Sequence, residues 1–203
     1  MPVLVLEEKE GRDEETEALA VDLRVFFQMK IREANYQDIP RLAKIHVRAW
    51  QEAYSDILPP DYLASLSIEK AEARWAHWLK NPVVGQIHLV AEKEGSGVIG
   101  FASGGPETTR SQRNWGELSA IYVQSRYQKQ GFGTALFRSV MKSLAQQGFK
   151  GMISWMLAEN PARAFFQKLG GIRKGSKEEI IGDMEKKMIA YQWAFSKKML
   201  MQL

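Results

Sequence analysis

From residue 29 onward, the chain alternates between two hydrophobic periods. Short apolar and β-branched runs predict strands over residues 31–34, 86–92, 98–103, 115–123, 151–157, 172–180 and 187–193. Apolar residues at helical spacing predict helices over residues 39–53, 67–78, 133–147 and 161–169. Asp38 is a candidate N-cap with Pro40 in the first turn, and Gly148 is a stop signal. We therefore predict an α/β domain with a mixed, twisted sheet and helices on both faces.

The segment 117–136, which reads ELSAIYVQSRYQKQGFGTAL, carries a binding signal. An apolar strand ends in a polar loop, which passes through Gly131 and Gly133 into a helix. The first turn of a helix leaves backbone N–H groups free, and the helix dipole favours negative charge there. Glycines allow the backbone to approach a ligand closely and can adopt a positive φ. The pattern predicts a phosphate site, and an ordinary β–α turn that uses glycines for its geometry is the alternative.

Two common phosphate motifs are absent from the sequence. The chain has no Gly-x-x-x-x-Gly-Lys-Ser/Thr string, which excludes a P-loop. The dinucleotide fingerprint is Gly-x-Gly-x-x-Gly/Ala, and after Gly131 and Gly133 its last position is occupied by Leu136 instead of a small residue. The loop therefore predicts a phosphorylated cofactor of another kind.

The motif Gln128-x-x-Gly131-x-Gly133, which follows Ile121-Tyr122-Val123, resembles the acyl-CoA pyrophosphate loop of the GNAT-type N-acetyltransferases. The segment 151–171, GMISWMLAENPARAFFQKLGG, resembles the next strand and helix of that family, and segment 31–54 resembles its opening strand and first helix. The resemblance covers residues 29–193 in order. It implies the GNAT fold and acetyl-CoA as the acyl donor.

The resemblance also implies which residues hold the cofactor. They are Ile121, Tyr122, Val123, Gln128, Lys129, Gln130, Gly131, Phe132, Gly133, Thr134, Asn160 and Phe166. The family's strand at 117–123 carries a bulge and splays from the next strand, so the amide of Val123 or a neighbour would bind the pantetheine arm and the thioester carbonyl. Asn160 precedes Pro161, as an N-cap does, and in the family it also contacts the cofactor arm; the two roles are compatible.

Acetyl transfer to an amine needs a base for the acceptor and a proton for the leaving thiolate. Glu117 is the candidate base, because many GNAT enzymes place a base at the start of this strand; a solvated strand end is the alternative. Family members commonly have a proton-donating Tyr where this chain has Phe166. Tyr122, Tyr127, another Tyr or water would then supply the proton. A thiol pKa near about 8.5 means that its absence slows catalysis rather than forbidding it.

Aromatic residues mark the predicted acceptor side. By resemblance, Trp50, Tyr54 and Tyr62 border the acceptor pocket, where cation–π contacts can recognise an amine; the alternative is that they belong to the core. His46, His77 and His88 lack metal-ligand spacing, so we interpret them as structural or surface residues and expect no metal.

Composition narrows the function further. The chain has no Cys, which excludes disulfides, thiolate zinc sites and a Cys nucleophile, and therefore favours direct transfer over a thioester-linked enzyme intermediate. The sequence has no membrane-length apolar run and its start is unlike a signal peptide, so we expect a soluble, cytoplasmic protein. Residues 1–28 carry a net charge of −5, which leaves +9 on residues 29–203. We expect 1–28 to be an acidic extension that is mobile over 7–17; an appended segment, a second strand-forming arm and an upstream start choice are all open for it. We expect 29–203 to be one basic domain suited to an anionic ligand.

Three functions remain open at this point. The first is an acetyltransferase that moves an acetyl group from acetyl-CoA to a primary amine of a small molecule or protein. The second is a non-catalytic acyl-CoA-binding or regulatory module, which the loss of a Tyr at Phe166 suggests. The third is a basic interaction domain, although the sequence has no nucleic-acid recognition motif. The apolar, basic tail at 195–203 suggests a homodimer.

Overall fold

The fold is built on one mixed sheet. The computed structural model describes residues 29–107, 114–196 and 200. In this part of the chain, seven strands lie in the order β1-β2-β3-β4-β5-β7-β6. Their bounds are β1 Met29–Glu33, β2 Ile87–Lys93, β3 Gly97–Pro106, β4 Gly116–Val123, β5 Gly151–Leu157, β6 Ile172–Ile181 and β7 Met184–Ala194. Neighbouring strands are antiparallel except β4 and β5, which are parallel.

Helices cover both faces of the sheet, as the hydrophobic pattern predicts. Their bounds are α1 Ile39–Ala53, α2 Pro60–Ala64, α3 Ile68–Lys80, α4 Phe132–Gln146 and α5 Arg163–Lys168. One core cluster joins α1 and α3 to the sheet around Leu42, Trp75 and Phe101. A second cluster joins α4 to the opposite face around Leu136 and Trp193. None of the helices in the described ranges is long and apolar enough to cross a membrane.

The helix ends show where local signals succeed and fail. Ser67, the predicted start of this helix, caps α3, since its hydroxyl accepts a hydrogen bond from the Lys70 amide at 3.3 Å. Asp38 occupies the N-cap position of α1 as predicted, but its side chain makes no capping hydrogen bond there. Its carboxylate is taken by Arg32, at 2.7 Å, and by the Asn35 amide, at 2.8 Å. These partners come from β1 and from the turn before α1, so the carboxylate ties that turn to β1 instead.

The remaining differences from the sequence prediction are small. Helix α2 was not predicted, and α5 begins after a turn rather than at residue 161. The expectations for residues 1–28 lie outside the described residues, as do those for most of the tail at 195–203. The other strands and helices match their predicted segments within a few residues.

Strands β4 and β5 part to form a V-shaped cleft. Their pairing is confined to Gly116 with Met152 and Glu117 with Ile153, at the start of both strands. Opposite β3, the register shifts between Ser103 and Gly104, so one residue of β4 is extra and forms a bulge. The predicted bulge and splay are therefore both present, and the carboxyl ends of β4 and β5 face an open gap.

Candidate active site

Backbone amides of β4 line one wall of the cleft. The Gln124 amide donates to the carbonyl of Ile99 at 3.0 Å, so it points towards β3. Because successive amides of a strand point to opposite edges, the Val123 and Ile121 amides point towards β5, which is not paired with them. The Ile121 and Val123 side chains pack against the α4 core cluster. Ile121 and Val123 therefore present their backbone N–H groups to a ligand, as predicted for binding a cofactor arm and a thioester carbonyl.

The phosphate-loop candidate, residues 128–134, lies at the open end of β4. Gly131 has φ of 87° and ψ of −16° and is the residue immediately before α4. Lys129 also has a positive φ, of 60°. In the described part of the chain, the first helical backbone bond after the loop is from the Ala135 amide to the Gly131 carbonyl, at 3.0 Å. The amides between Lys129 and Thr134 are thus left to other acceptors, which is the requirement for binding a phosphate.

Side chains hold the loop in place and surround it with positive charge. Gln128 donates to the Val123 carbonyl at 3.1 Å, and Gln130 donates to the Arg126 carbonyl at 3.0 Å. Arg126 and Lys93 both lie over the Tyr127 ring, at 4.8 and 5.4 Å from its centroid. Together with Lys129, these cations favour an anionic ligand at the loop.

The aromatic candidates from distant parts of the sequence form one hydrogen-bonded chain. The Trp50 indole N–H donates to the Tyr122 hydroxyl at 2.9 Å. The Asn160 amide donates to the Tyr54 hydroxyl at 3.0 Å, and a further hydrogen bond joins the Tyr54 and Tyr122 hydroxyls. Burial, with the neighbouring Tyr54, raises the pKa of Tyr122 far above its usual value of 10, so Tyr122 stays protonated. This series of hydrogen bonds connects α1, β4 and the turn after β5.

A cavity of about 290 Å³ opens beside this hydrogen-bonded chain. Its walls come from α1, α2, the open part of β4 and β5, and the β6–β7 hairpin. They are Trp50, Tyr54, Tyr62, Ser119, Tyr122, Trp155, Met156, Leu157, Glu179, Ile180, Ile181, Gly182 and Met188. Among these lining residues, Glu179 is the one that carries a charge, and it pairs with Lys177 at 3.0 Å. The arrangement fits a small molecule with an apolar body.

Asn160 is buried, and its side chain makes two hydrogen bonds. Its side-chain oxygen accepts from the Ala162 amide at 2.8 Å, which fixes the turn before α5. Helix α5 itself begins at Arg163, so Asn160 closes a turn rather than capping the first helical residue. Its side-chain nitrogen is used by Tyr54, at the mouth of the cleft. Contact with the cofactor arm stays a prediction.

Other predicted residues have more restricted positions. Phe132 is 1% exposed and belongs to the α4 core cluster, so its side chain is not open to a cofactor. Phe166 is 3% exposed and packs on Tyr191 and Trp193, with ring centroids 6.1 and 5.7 Å away. Glu117 lies at the closed end of the V and is not among the residues that line the cavity. The roles of Phe166 and Glu117 therefore stay predictions.

His46 is a packed residue, as the sequence suggested. Its ring lies 5.5 Å from Tyr122 and 5.7 Å from Phe101, centroid to centroid. Burial, with a smaller effect of Arg74, lowers the pKa of His46 to about 4. His46 is thus neutral at physiological pH and supports the ring of Tyr122. In the described part of the chain, no cluster of three or more His, Asp or Glu side chains is placed to hold a metal ion.

The splayed β4–β5 pair, the exposed loop before α4 and the mixed sheet agree with a family comparison. A family model described as the acetyltransferase (GNAT) family matches residues 41–171. The chain belongs to the GNAT acetyltransferase family. This GNAT acetyltransferase is 35% identical over 163 residues to the uncharacterized N-acetyltransferase YuaI of Bacillus subtilis (strain 168). That match covers 80% of this chain and 91% of YuaI.

Other relatives of this GNAT acetyltransferase match over shorter spans or in fold. It is 36% identical to the phosphinothricin N-acetyltransferase of Streptomyces viridochromogenes over 89 residues, which are 43% of this chain and 48% of that enzyme. The PaiA N-acetyltransferase from Thermoplasma acidophilum, solved in complex with coenzyme A, has a TM-score of 0.60 at 19% identity. That comparison covers 82% of this chain and 99% of PaiA, and it confirms the predicted fold.

A second solved structure gives the same result for the fold. The yncA structure from Salmonella typhimurium, which contains its cofactor acetyl-CoA, has a TM-score of 0.61 at 19% identity. It covers 84% of this chain and 95% of yncA.

Sequence reasoning missed the contribution of the β6–β7 hairpin and of Trp155. Glu179 and Gly182 reach the cavity because the hairpin folds back over α2, where a Cβ on Gly182 would lie 2.8 Å from the Tyr62 ring. A local signal existed for Trp155, since it is the one large aromatic residue in the strand that precedes Asn160. No comparable signal marked Glu179, which is one of several charged residues in β6.

Proposed function

We propose that the protein transfers an acetyl group from acetyl-CoA directly to a primary amine. The observation that carries this proposal is the loop at 128–134, whose exposed amides precede α4 and open onto the cleft between β4 and β5. A pyrophosphate on these amides would direct a pantetheine arm along the Val123 and Ile121 amides towards the cavity. A preorganised amide at the thioester carbonyl is worth about 10²–10³ in rate.

The cavity supports an acceptor with an apolar or aromatic body and a single amino group. Aromatic faces attract an ammonium group, and Glu179 adds a carboxylate that the ammonium would share with Lys177. Phosphinothricin, after which one relative is named, is an amino acid with a carboxylate and a phosphinate. The lining residues supply no cation for these anions, and the neighbouring Lys177 is already paired with Glu179, so we expect phosphinothricin to be the poorer acceptor of the two classes.

Two carboxylates are candidates for the base that takes the amine proton. Glu117 was predicted from the sequence and lies at the closed end of the cleft, and Glu179 lies on the wall of the cavity. We propose Glu117 as the base, acting through water, and Glu179 as the group that attracts the ammonium ion. Glu117→Gln should then change the pH profile of kcat, and Glu179→Gln should raise KM for the amine. An unchanged pH profile in Glu117→Gln would remove it as the base.

The proposal is tested by thiol release from acetyl-CoA over a panel of amines. The panel contains 2-phenylethylamine, tyramine, a polyamine, a lysine peptide and phosphinothricin, and thermal stabilisation by acetyl-CoA is measured in parallel. We expect stabilisation together with turnover, highest for the two arylalkylamines. Stabilisation without turnover on any amine would favour the non-catalytic binding module. Absence of stabilisation would contradict the cofactor assignment itself.

A further inference from the structure

Because this chain has Phe166 where the family commonly has a Tyr, the departing thiolate has no evident proton donor. Phe166 cannot donate, and its ring is buried against Tyr191 and Trp193. Tyr127, a candidate from the sequence, does not line the cavity, and its ring is covered by Lys93 and Arg126. Tyr122 lines the cavity, but its hydroxyl is already engaged by Trp50 and Tyr54.

Tyr54 is placed differently from these tyrosines. Its hydroxyl reaches Asn160, in the turn after β5, and Tyr122, on β4. It therefore spans the gap between the two strands at the open end of the V, where the proposed function puts the thioester. Tyr54 is 6% exposed and lines the cavity, so its hydroxyl is held away from bulk water yet borders the reacting space.

The hydrogen bonds at Tyr54 are directed in a useful way. The Asn160 N–H donates to the Tyr54 oxygen at 3.0 Å, and this bond leaves the Tyr54 O–H for another group. The Tyr122 hydroxyl also hydrogen-bonds with Tyr54, and Trp50 donates to the oxygen of Tyr122. Because a phenol oxygen accepts two hydrogen bonds, Asn160 and Tyr122 can both donate to the Tyr54 oxygen once it is charged. The two donors also stabilise the negative charge that this oxygen acquires when its proton leaves.

We propose that Tyr54 donates a proton to the departing coenzyme A thiolate. The inference rests on the proposed function. The amine nitrogen forms a bond to the acetyl carbon, and the carbon–sulfur bond breaks with its electron pair on sulfur. The Tyr54 O–H proton moves to that sulfur and gives the free thiol. The proton lost by the amine, taken up first by the base, returns to the Tyr54 oxygen through water, so each turnover ends with the enzyme in its starting state.

Burial supports this assignment through the protonation state. It raises the pKa of Tyr54, while the hydrogen bonds from Asn160 and Tyr122 act in the lowering direction. The hydroxyl therefore holds its proton at neutral pH, as a general acid must. Once the thiolate forms, the same two hydrogen bonds reduce the cost of the tyrosinate.

The test compares two acyl donors in wild type and in Tyr54→Phe. Acetyl-CoA releases a thiolate, whereas the selenium analogue, Se-acetyl selenocoenzyme A, releases a selenolate that is a much weaker base and needs no proton. The acceptor is the amine with the highest turnover in the panel above. With acetyl-CoA, kcat should fall about 10- to 100-fold, at or below the low end for general acids because a thiolate is a tolerable leaving group. With the selenoester, kcat of Tyr54→Phe should stay within about threefold of wild type, and the Kd for acetyl-CoA should be unchanged.

Tyr62→Phe is the matched control, since Tyr62 lines the same cavity from α2. Whatever it does to the rate, its selenoester-to-thioester ratio should equal that of wild type. Equal losses with both donors in Tyr54→Phe, or no loss with either, would overturn the proposal. If Tyr54→Phe shows no cooperative melting transition, Tyr54→His, which can donate a proton, is compared instead. Its selenoester-to-thioester ratio of kcat should be close to that of wild type, and a much larger ratio would contradict the proposal. A wild type without turnover on any amine would contradict the proposed function rather than the role of Tyr54.

Discussion

Replacing Gly131 by Ala should weaken acetyl-CoA binding, whereas replacing Gly133 should not. Gly131 has φ of 87°, in the left-handed region, where a Cβ costs about 1–2 kcal/mol. The added Cβ would not clash with a neighbour, because the nearest atom to it would be Met29 Cε at 3.9 Å. The new residue is therefore strained by its backbone, and the loop can relieve the strain only by turning its amides.

The magnitudes follow from these amides. Each charge-assisted hydrogen bond lost from a pyrophosphate costs about 1.5–3 kcal/mol, which is roughly a 10- to 150-fold rise in Kd. The strain, partly offset by the lower entropy of the unfolded chain, lowers Tm by about 2–4 °C. Gly133 lies in the first turn of α4, and its Cβ would lie 3.4 Å from the Phe165 ring, an ordinary contact. Ala there should raise helix stability by up to about 1 kcal/mol.

The assay is isothermal titration of each variant with acetyl-CoA, paired with thermal unfolding. We expect Gly131→Ala to bind at least about 10-fold more weakly, and Gly133→Ala to bind within about threefold of wild type. Two results would refute the reasoning. One is unchanged binding in Gly131→Ala, and the other is an equal loss of affinity in both variants.

Three further predictions concern stability. His46 stays neutral in the folded protein down to about pH 4, while the same residue in the unfolded chain binds a proton near pH 6.5. Between these two pH values, acid therefore lowers the free energy of unfolding by up to about 1.4 kcal/mol per pH unit. Urea unfolding should show a shallower dependence of this free energy on pH in His46→Gln, and an equal dependence would exclude His46 as the cause. Ser67→Ala removes the cap of α3 and should cost about 1 kcal/mol, with Ser67→Asp as the conservative control; equal unfolding midpoints would contradict the cap. Asn160→Ala loses the bonds to Tyr54 and from Ala162, and should cost about 2–4 kcal/mol in unfolding free energy. Asn160→Asp keeps the acceptor for Ala162 and should lose less, and the reverse order would argue against the turn.

The fold and the phosphate-loop candidate could be predicted from the sequence because their signals are local. The strand, the two glycines and the helix at 117–136 are consecutive, and Gly131 adopts the positive φ that only its residue type allows cheaply. The failed cap at Asp38 was also a local signal, but a competing partner, Arg32 on β1, takes its carboxylate.

The connections within the site could not be read in this way. Tyr54 and Asn160 are 106 residues apart, and Trp50 and Tyr122 are 72 apart. Each residue type was a sensible candidate, but the direction of its hydrogen bond depends on how α1 packs across β4. The role of Glu179 depends in the same manner on the β6–β7 hairpin reaching the cavity, which no spacing in the sequence encodes.

The central claim is that the loop at 128–134 and the cavity act together to acetylate an amine. The most direct measurement incubates the protein with acetyl-CoA and 2-phenylethylamine, and follows thiol release together with the mass of the amine. We predict one N-acetylated amine for each free thiol released, over many turnovers per enzyme. Acetyl-CoA that binds and stabilises the protein but yields no acetylated product, with this amine or any other in the panel, would contradict the account.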